Sequence, residues 1–185
     1  MKPAPENMTR FIEYVIKICG KDKDNNKDEK KYRGLAARLR RADNPSTEYQ
    51  SWEILAAFGI EVDNERHYQP SATLAAAIAK ARGIERNGDL GLGHAIAACY
   101  PEGSKNDQSK ARLRRLLACK DLTELCRHLR PLFSLIDSRV EQRLDYLRLL
   151  DQLYGFAFDS RRIKLQWVQD FHRQTPPQEA GEATA

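Results

Sequence analysis

Apolar positions along this chain recur at helical spacing almost from end to end. Residues 1–7, with two prolines, read as loose. Phe11, Ile12, Val15, Ile16 and Cys19 then form an inward stripe that predicts a first helix closed by Gly20. KDKDNNKDEKK follows as an exposed loop of mixed charge. A second helix over 32–42 turns Leu35, Ala36 and Leu39 inward. Asn44-Pro45-Ser46 reads as the start of a third, whose apolar face would be Tyr49, Trp52, Leu55, Ala56 and Phe58 up to Gly59. Residues 60–69 read as a polar connection, and Pro70-Ser71 as the opening of a helix over 72–82 that Gly83 ends.

The glycine-rich run 88–97 lacks both the preceding strand and the G-K-[ST] ending of a phosphate-cradling loop. It reads as a turn into a helix packed through small residues. Pro101-Glu102-Gly103 marks the best candidate for a domain boundary. Beyond it, Leu113, Leu116 and Leu117 define one amphipathic helix, and Leu122, Leu125, Cys126, Leu129, Leu132, Phe133 and Ile136 define another, up to a polar joint at Asp137-Ser138. A long helix over 139–154 carries Val140, Leu144, Leu147, Leu150 and Tyr154, and a last one over 160–174 carries Ile163, Trp167, Val168 and Phe171. No segment alternates with β-branched enrichment, so the expected class is all-α, a helical bundle of about seven to nine helices in two packed subdomains. Their expected limits are 1–100 and 101–174, with a disordered tail over 175–185.

Charge changes the picture at one place. The chain has 185 residues and a formal net charge of +5. Residues 105–130 hold Lys105, Lys110, Arg112, Arg114, Arg115, Lys120, Arg127 and Arg130 against Asp107, Asp121 and Glu124, which equals the excess of the whole chain. On a helical projection Arg112 and Arg115 point away from Leu113 and Leu117, Arg114 lies on a flank, and Arg127 lies opposite the second stripe. Arginine outnumbers lysine there, and few carboxylates stand at i±4 to neutralise it. Its planar fork of donors suits phosphate oxygens. Arg38, Arg40 and Arg41 on the second helix form another basic patch with no acid before Asp43.

The remaining chemistry is sparse. No run approaches the ~18 to 20 apolar residues of a membrane span, and no secretory leader is visible, so a soluble cytoplasmic protein without membrane attachment is expected. Cys19, Cys99, Cys119 and Cys126 show no C-x-x-C spacing, and His67, His94, His128 and His172 form no H-x(3–5)-H pair. The cysteines sit among Ile, Leu and Ala and read as core, with neither metal nor cofactor expected. No histidine has an arginine five to seven positions before it, which removes the helical ribonuclease pattern. Serines lie at turns and carboxylates are scattered, so no catalytic residue is nominated.

Several runs resemble one family. Residues 34–42, GLAARLRRA, are similar to the "LARLRRA" run of the CasB-type small subunit of Cascade, the type I-E CRISPR surveillance complex, and residues 90–97 resemble its "LGxALA" helix start. Residues 112–118 with 125–132 resemble its "RFxxLLxA…LLRHLRxLVxLL" core; 144–150 and 167–171 resemble its "LDYxRLxxDL" and "WxxDF" elements. Leu113 stands where the family commonly has an aromatic, and 60–69 match no family element. The resemblance implies a non-catalytic helical subunit, present as a pair in the complex with other Cascade subunits. Its basic surface would hold the displaced non-target strand of the target DNA and brace the backbone that bears the crRNA. The residues on which charge and resemblance converge are Arg112, Arg115, Arg127 and Arg130, with Arg38, Arg40 and Arg41 as a second patch. Lys110 and Lys120 rest on charge alone, and Arg114 lies on the flank of the same face.

A different class of function fits the same face: a helical adaptor whose arginines meet an acidic protein surface. A helix-turn-helix reader fits less well, since the turn over 118–121 lacks glycine and basic residues flank it on both sides.

Overall fold

A computed structural model describes residues 3–20, 29–81 and 84–173. The expected tail, the centre of the charged loop and Gly83 lie outside the described residues. Within them the chain forms α1 (Glu6–Gly20), α2 (Glu29–Leu39), α3 (Tyr49–Ala57), α4 (Glu65–Lys80), α5 (Leu92–Ala98), a 3-10 turn (Gly103–Lys105), α6 (Asp107–Ala118), α7 (Leu122–Arg139), α8 (Tyr146–Phe156) and α9 (Ser160–His172). Extended pairing among the described residues is limited to one parallel bridge between Leu90 and Leu144. The protein is all-α, as periodicity predicts.

Helix α4 lies at the centre. All residues from Pro70 to Ala79 are buried, and α1, α2, α3, α7 and α8 pack on it. Its alanines explain how so many neighbours fit, because small side chains let helix axes approach closely. On α7 every residue of the predicted stripe, Leu122 through Ile136, is buried. Trp167 of α9 is fully buried and donates its indole N–H to Gln152 Oε1 of α8 at 2.9 Å, which satisfies the one polar group that burial would otherwise orphan.

Glycines explain the run after residue 87. A Cβ on Gly93 would stand 2.2 Å from the Trp167 carbonyl oxygen, so α5 can lie against α9 only with hydrogen there. Gly88 meets the 143–144 backbone equally closely, with a Cβ position 1.9 Å from the Arg143 oxygen. The expected boundary at 100/101 falls in the turn after α5, and α5 packs against α9 from the other side of it.

Several expectations need correction, each for a local reason. Within the segment expected to be loose, Ala4 is buried and donates its N–H to Asp151 Oδ1 at 2.8 Å, and α1 starts at Glu6. Helix α3 buries Ser51, Ile54 and Leu55; of the apolar face expected from sequence, Leu55 is buried and Phe58 packs against Phe11 and Tyr14, whereas Tyr49, Trp52 and Ala56 are exposed. Helix α4 begins before Pro70, because the Asn64 side chain accepts from Arg66 N and caps the first turn. Pro70 then sits inside the helix, at the cost of one donor. Helix α7 runs through both Pro131 and Asp137-Ser138. The expected helix over 139–154 begins only at Tyr146, since Asn87 Oδ1 accepts from Tyr146 N at 2.8 Å and Asp145 Oδ1 from Arg148 N at 2.9 Å, while 143–145 pair with 88–90.

Candidate nucleic-acid interface

Helices α6 and α7 meet at a short corner, Cys119-Lys120-Asp121. Asn106 caps α6, its side chain accepting from Gln108 and Ser109 N–H groups. Asp121 caps α7 by accepting from Glu124 N at 2.8 Å, and Glu124 Oε2 reaches back to accept from Lys120 N, one residue before the cap, at 2.8 Å. Leu113 and Leu116 on one arm and Leu122, Leu125 and Leu129 on the other fix which way each arginine turns.

The ten nominated cations divide into two kinds. Arg114, Arg115, Lys120 and Arg127 are exposed, and no side-chain hydrogen bond or ion pair among the described residues holds them. Arg112 is half-buried on α6 and faces Cys99, whose thiol it pulls down against burial, together with Arg139. Lys110 pairs with Asp107 at 3.2 Å.

The others brace the fold. Arg38 donates through Nε to the Gln50 carbonyl and reaches Glu53 at 2.7 Å; Arg41 donates to Gln50 Oε1 at 3.0 Å. Arg40 Nε donates to the Ala79 carbonyl at 2.7 Å, tying the turn after α2 to the end of α4. Arg130 turns toward Asp43, 4.0 Å away, and its Nε is buried without a hydrogen-bond partner. Lys80 holds the same carboxylate at 2.9 Å, so two cations from α4 and α7 converge on a buried acid beside a pocket of about 380 Å³. Sequence cannot separate the exposed from the bracing cations, because the bracing partners lie on other elements, from Gln50, 9 positions from Arg41, to Asp43, far earlier in the chain than Arg130.

At the N-terminal end of α7, Lys120 and Arg127 line a groove of about 710 Å³ with two residues that sequence did not nominate. Phe158, half exposed in the turn between α8 and α9, lies beneath the Arg66 guanidinium at 5.2 Å and meets the Tyr154 ring edge-on. Neither carried a signal in the sequence, since Arg66 fell in a stretch read as connection and Phe158 in a turn. Glu65, Asp121 and Glu124 also line the groove, so its formal charge is balanced, although two of these acids are engaged in capping.

A second grouping was also missed. Donor atoms of Cys119, Glu124 and His128 lie within 4.8 Å of one another at the corner. The C-x(4)-E-x(3)-H spacing spans a helix junction, which is why a search for paired cysteines or histidines passes over it. Burial pushes Cys19, Cys99 and Cys126 up to about 11 and raises Cys119 as well, in keeping with thiols that are protonated core residues.

The sequence model of the CRISPR-associated protein Cse2 family matches residues 35–172. The fold is similar to the crystal structure of CasB from Thermobifida fusca, at a TM-score of 0.69 and 21% identity over 92% of this chain and 100% of that one. No curated protein matches the chain in sequence.

Proposed function

The chain belongs to the CRISPR-associated Cse2 family, and from that premise we propose that it is a non-catalytic subunit of a type I-E Cascade complex that holds displaced single-stranded DNA on the α6–α7 face. The observation that carries this reading is the set Arg114, Arg115, Lys120 and Arg127, exposed and without a side-chain partner among the described residues, on α6, α7 and the corner between them. Cations without protein partners suit a polyanion, and phosphate contacts would position the strand without reading it. The bordering groove adds Phe158 under Arg66, an aromatic surface on which a base can stack. Exchanging a DNA duplex for an RNA–DNA hybrid is nearly balanced in energy, so a few such contacts can tip R-loop formation.

In this reading the subunit acts in the cytoplasm, as one of a pair alongside other Cascade subunits, and the same surface braces the crRNA-bearing backbone. Arg38, Arg40, Arg41 and Arg130 keep the face in shape and contribute little direct contact.

The test is the salt dependence of single-stranded DNA binding. Arg115→Ala with Arg127→Ala should weaken all sequences alike and make the slope of log K against log salt shallower by about 1.4, from ~0.7 per phosphate contact. An unchanged slope, together with failure of the variant to enter the complex, would assign the arginines to an acidic protein surface and favour the adaptor.

A further inference from the structure

The corner between α6 and α7 brings three different metal-ligating groups to one point. Cys119 is the C-cap residue of α6 and is buried. Glu124 and His128 stand four apart on α7, one turn above the other on the same face. We propose that Cys119 Sγ, a Glu124 carboxylate oxygen and a His128 ring nitrogen form a site for a divalent metal ion of the zinc class, with water completing four-coordination. The donors lie within 4.8 Å of one another, and bonds of ~2.0 to 2.3 Å to a tetrahedral ion place donors roughly 3.5 Å apart, a difference that side-chain rotation can close.

The donor set selects the ion. Thiolate, imidazole and carboxylate together suit zinc, whereas calcium and magnesium require oxygen ligands. The surroundings are ordered in advance. Glu124 Oε2 accepts from Lys120 N, which orients the carboxylate and leaves Oε1 for the ion. Lys164 of α9 donates to the Cys119 carbonyl at 2.7 Å, anchoring the cysteine backbone.

Binding is written as thiol plus M²⁺ giving metal thiolate plus one proton released to solvent. Without metal, Cys119 Sγ donates to the Arg115 carbonyl at 3.3 Å, and burial, then Glu124, keep the thiol protonated while Lys164 works against them. Loaded, thiolate and carboxylate neutralise the ion, so the corner gains one positive charge relative to its metal-free state. That gain falls beside Lys120 and Arg127, in a groove whose formal charge is otherwise balanced. The metal would also clamp the angle between the two helices that carry the exposed arginines. The effect on DNA rests on the strand-binding reading; the site itself does not.

Chelator-treated full-length protein titrated with Co²⁺ gives the test. The expected result is about one equivalent bound, a near-ultraviolet sulfur-to-cobalt charge-transfer band, intense visible bands of four-coordinate cobalt, and loss of all of them on adding Zn²⁺. Cys119→Ser should abolish the charge-transfer band, and His128→Ala should lower cobalt affinity more than ~10-fold while Cys99→Ser changes neither. Glu124→Gln, which can still accept from Lys120 N, guards against confusing lost folding with lost ligation and should also weaken binding. A charge-transfer band that survives Cys119→Ser, or no cobalt binding below millimolar concentration, overturns the proposal. Salt-slope measurements on the metal-free protein test strand binding separately, so either idea can fail alone.

Discussion

At the end of α2 and in the turn that follows it, Arg38 and Arg40 donate to backbone carbonyls of Gln50 and Ala79, and Arg41 to the Gln50 side chain. On α6 and α7, Arg114, Arg115 and Arg127 meet water. Both regions are short runs of arginine on or beside an amphipathic helix, and both lie within the residues that match the family. The difference comes from what folds over them. Helix α3 and the end of α4 come down beside α2 and present carbonyls and a carboxylate, while among the described residues Arg114, Arg115 and Arg127 on α6 and α7 stay exposed. A basic patch in sequence is therefore a statement about composition, and its use is decided by elements elsewhere in the chain.

The largest expected effect tests the bracing side of this contrast. Asp43 is 8% exposed and receives Lys80 through both carboxylate oxygens, with Arg130 4.0 Å away. Asp43→Ala removes the acid and leaves the partly buried Arg130 without its nearest ion-pair partner, so a loss of about 2 to 3 kcal/mol is expected in denaturant unfolding, below the range for fully buried pairs because Lys80 is half exposed and Asp137 lines the same pocket. Asp43→Asn keeps acceptor capacity and should cost less. A stability unchanged by Asp43→Ala would return Arg130 to the set of free, nucleic-acid-facing cations.

Legibility in the sequence followed the same division. Helix type, the stripe of α7 and the packing of the glycine-rich turn on a neighbour depend on residues close in the chain, and periodicity captures them. Helix starts were missed where a side chain decides them: Asn64 caps α4 ahead of Pro70, and Asn87 caps α8 from 59 positions away. At the candidate site, the exposed arginines of α6 and α7 followed from their own helical projection. The assignments of Arg38, Arg40 and Arg130, the Arg66–Phe158 contact and the cysteine-glutamate-histidine corner all depend on partners brought together by the tertiary fold, and no local pattern encodes them.

The apolar side of α7 sharpens the comparison through pH. Cys126 lies inside the predicted stripe, and burial first, against Thr73 and Arg130, pushes it up to about 11 from 9.0; Cys99 moves similarly. In the unfolded chain the thiols lose their protons near 9.0, whereas the folded protein keeps them to about 11. Raising pH through this window therefore removes protons from the unfolded state first and favours unfolding; below 9 the contribution is fully present. The thermal midpoint should fall between pH 9 and 11, with a loss on the order of 2 kcal/mol from Cys126 alone. Cys126→Ala should show a shallower decline over that window. An identical decline in the variant would mean that the thiol does not sense burial in the α7 core.

The smallest effects give the most direct test, because they compare one arginine from each region by one substitution. Arg40→Ala removes a 2.7 Å hydrogen bond to Ala79 O, a carbonyl in the last turn of α4, and should cost about 1 kcal/mol, below the ~1.5 to 3 kcal/mol of hydrogen bonds to charged groups because Arg40 is exposed to solvent. Arg114→Ala removes a side chain with no recorded partner among the described residues and should change stability by no more than about 0.5 kcal/mol. In single-stranded DNA binding the order should reverse: Arg114→Ala reduces the salt slope by up to ~0.7 while Arg40→Ala leaves it unchanged. The opposite sign in both measurements is the decisive feature, since a general loss of structure would lower stability and binding together in the same variant. If Arg40→Ala alters the slope as much as Arg114→Ala without altering stability, then the contact with Ala79 does not hold Arg40 in solution, and both basic regions belong to one continuous strand-binding surface.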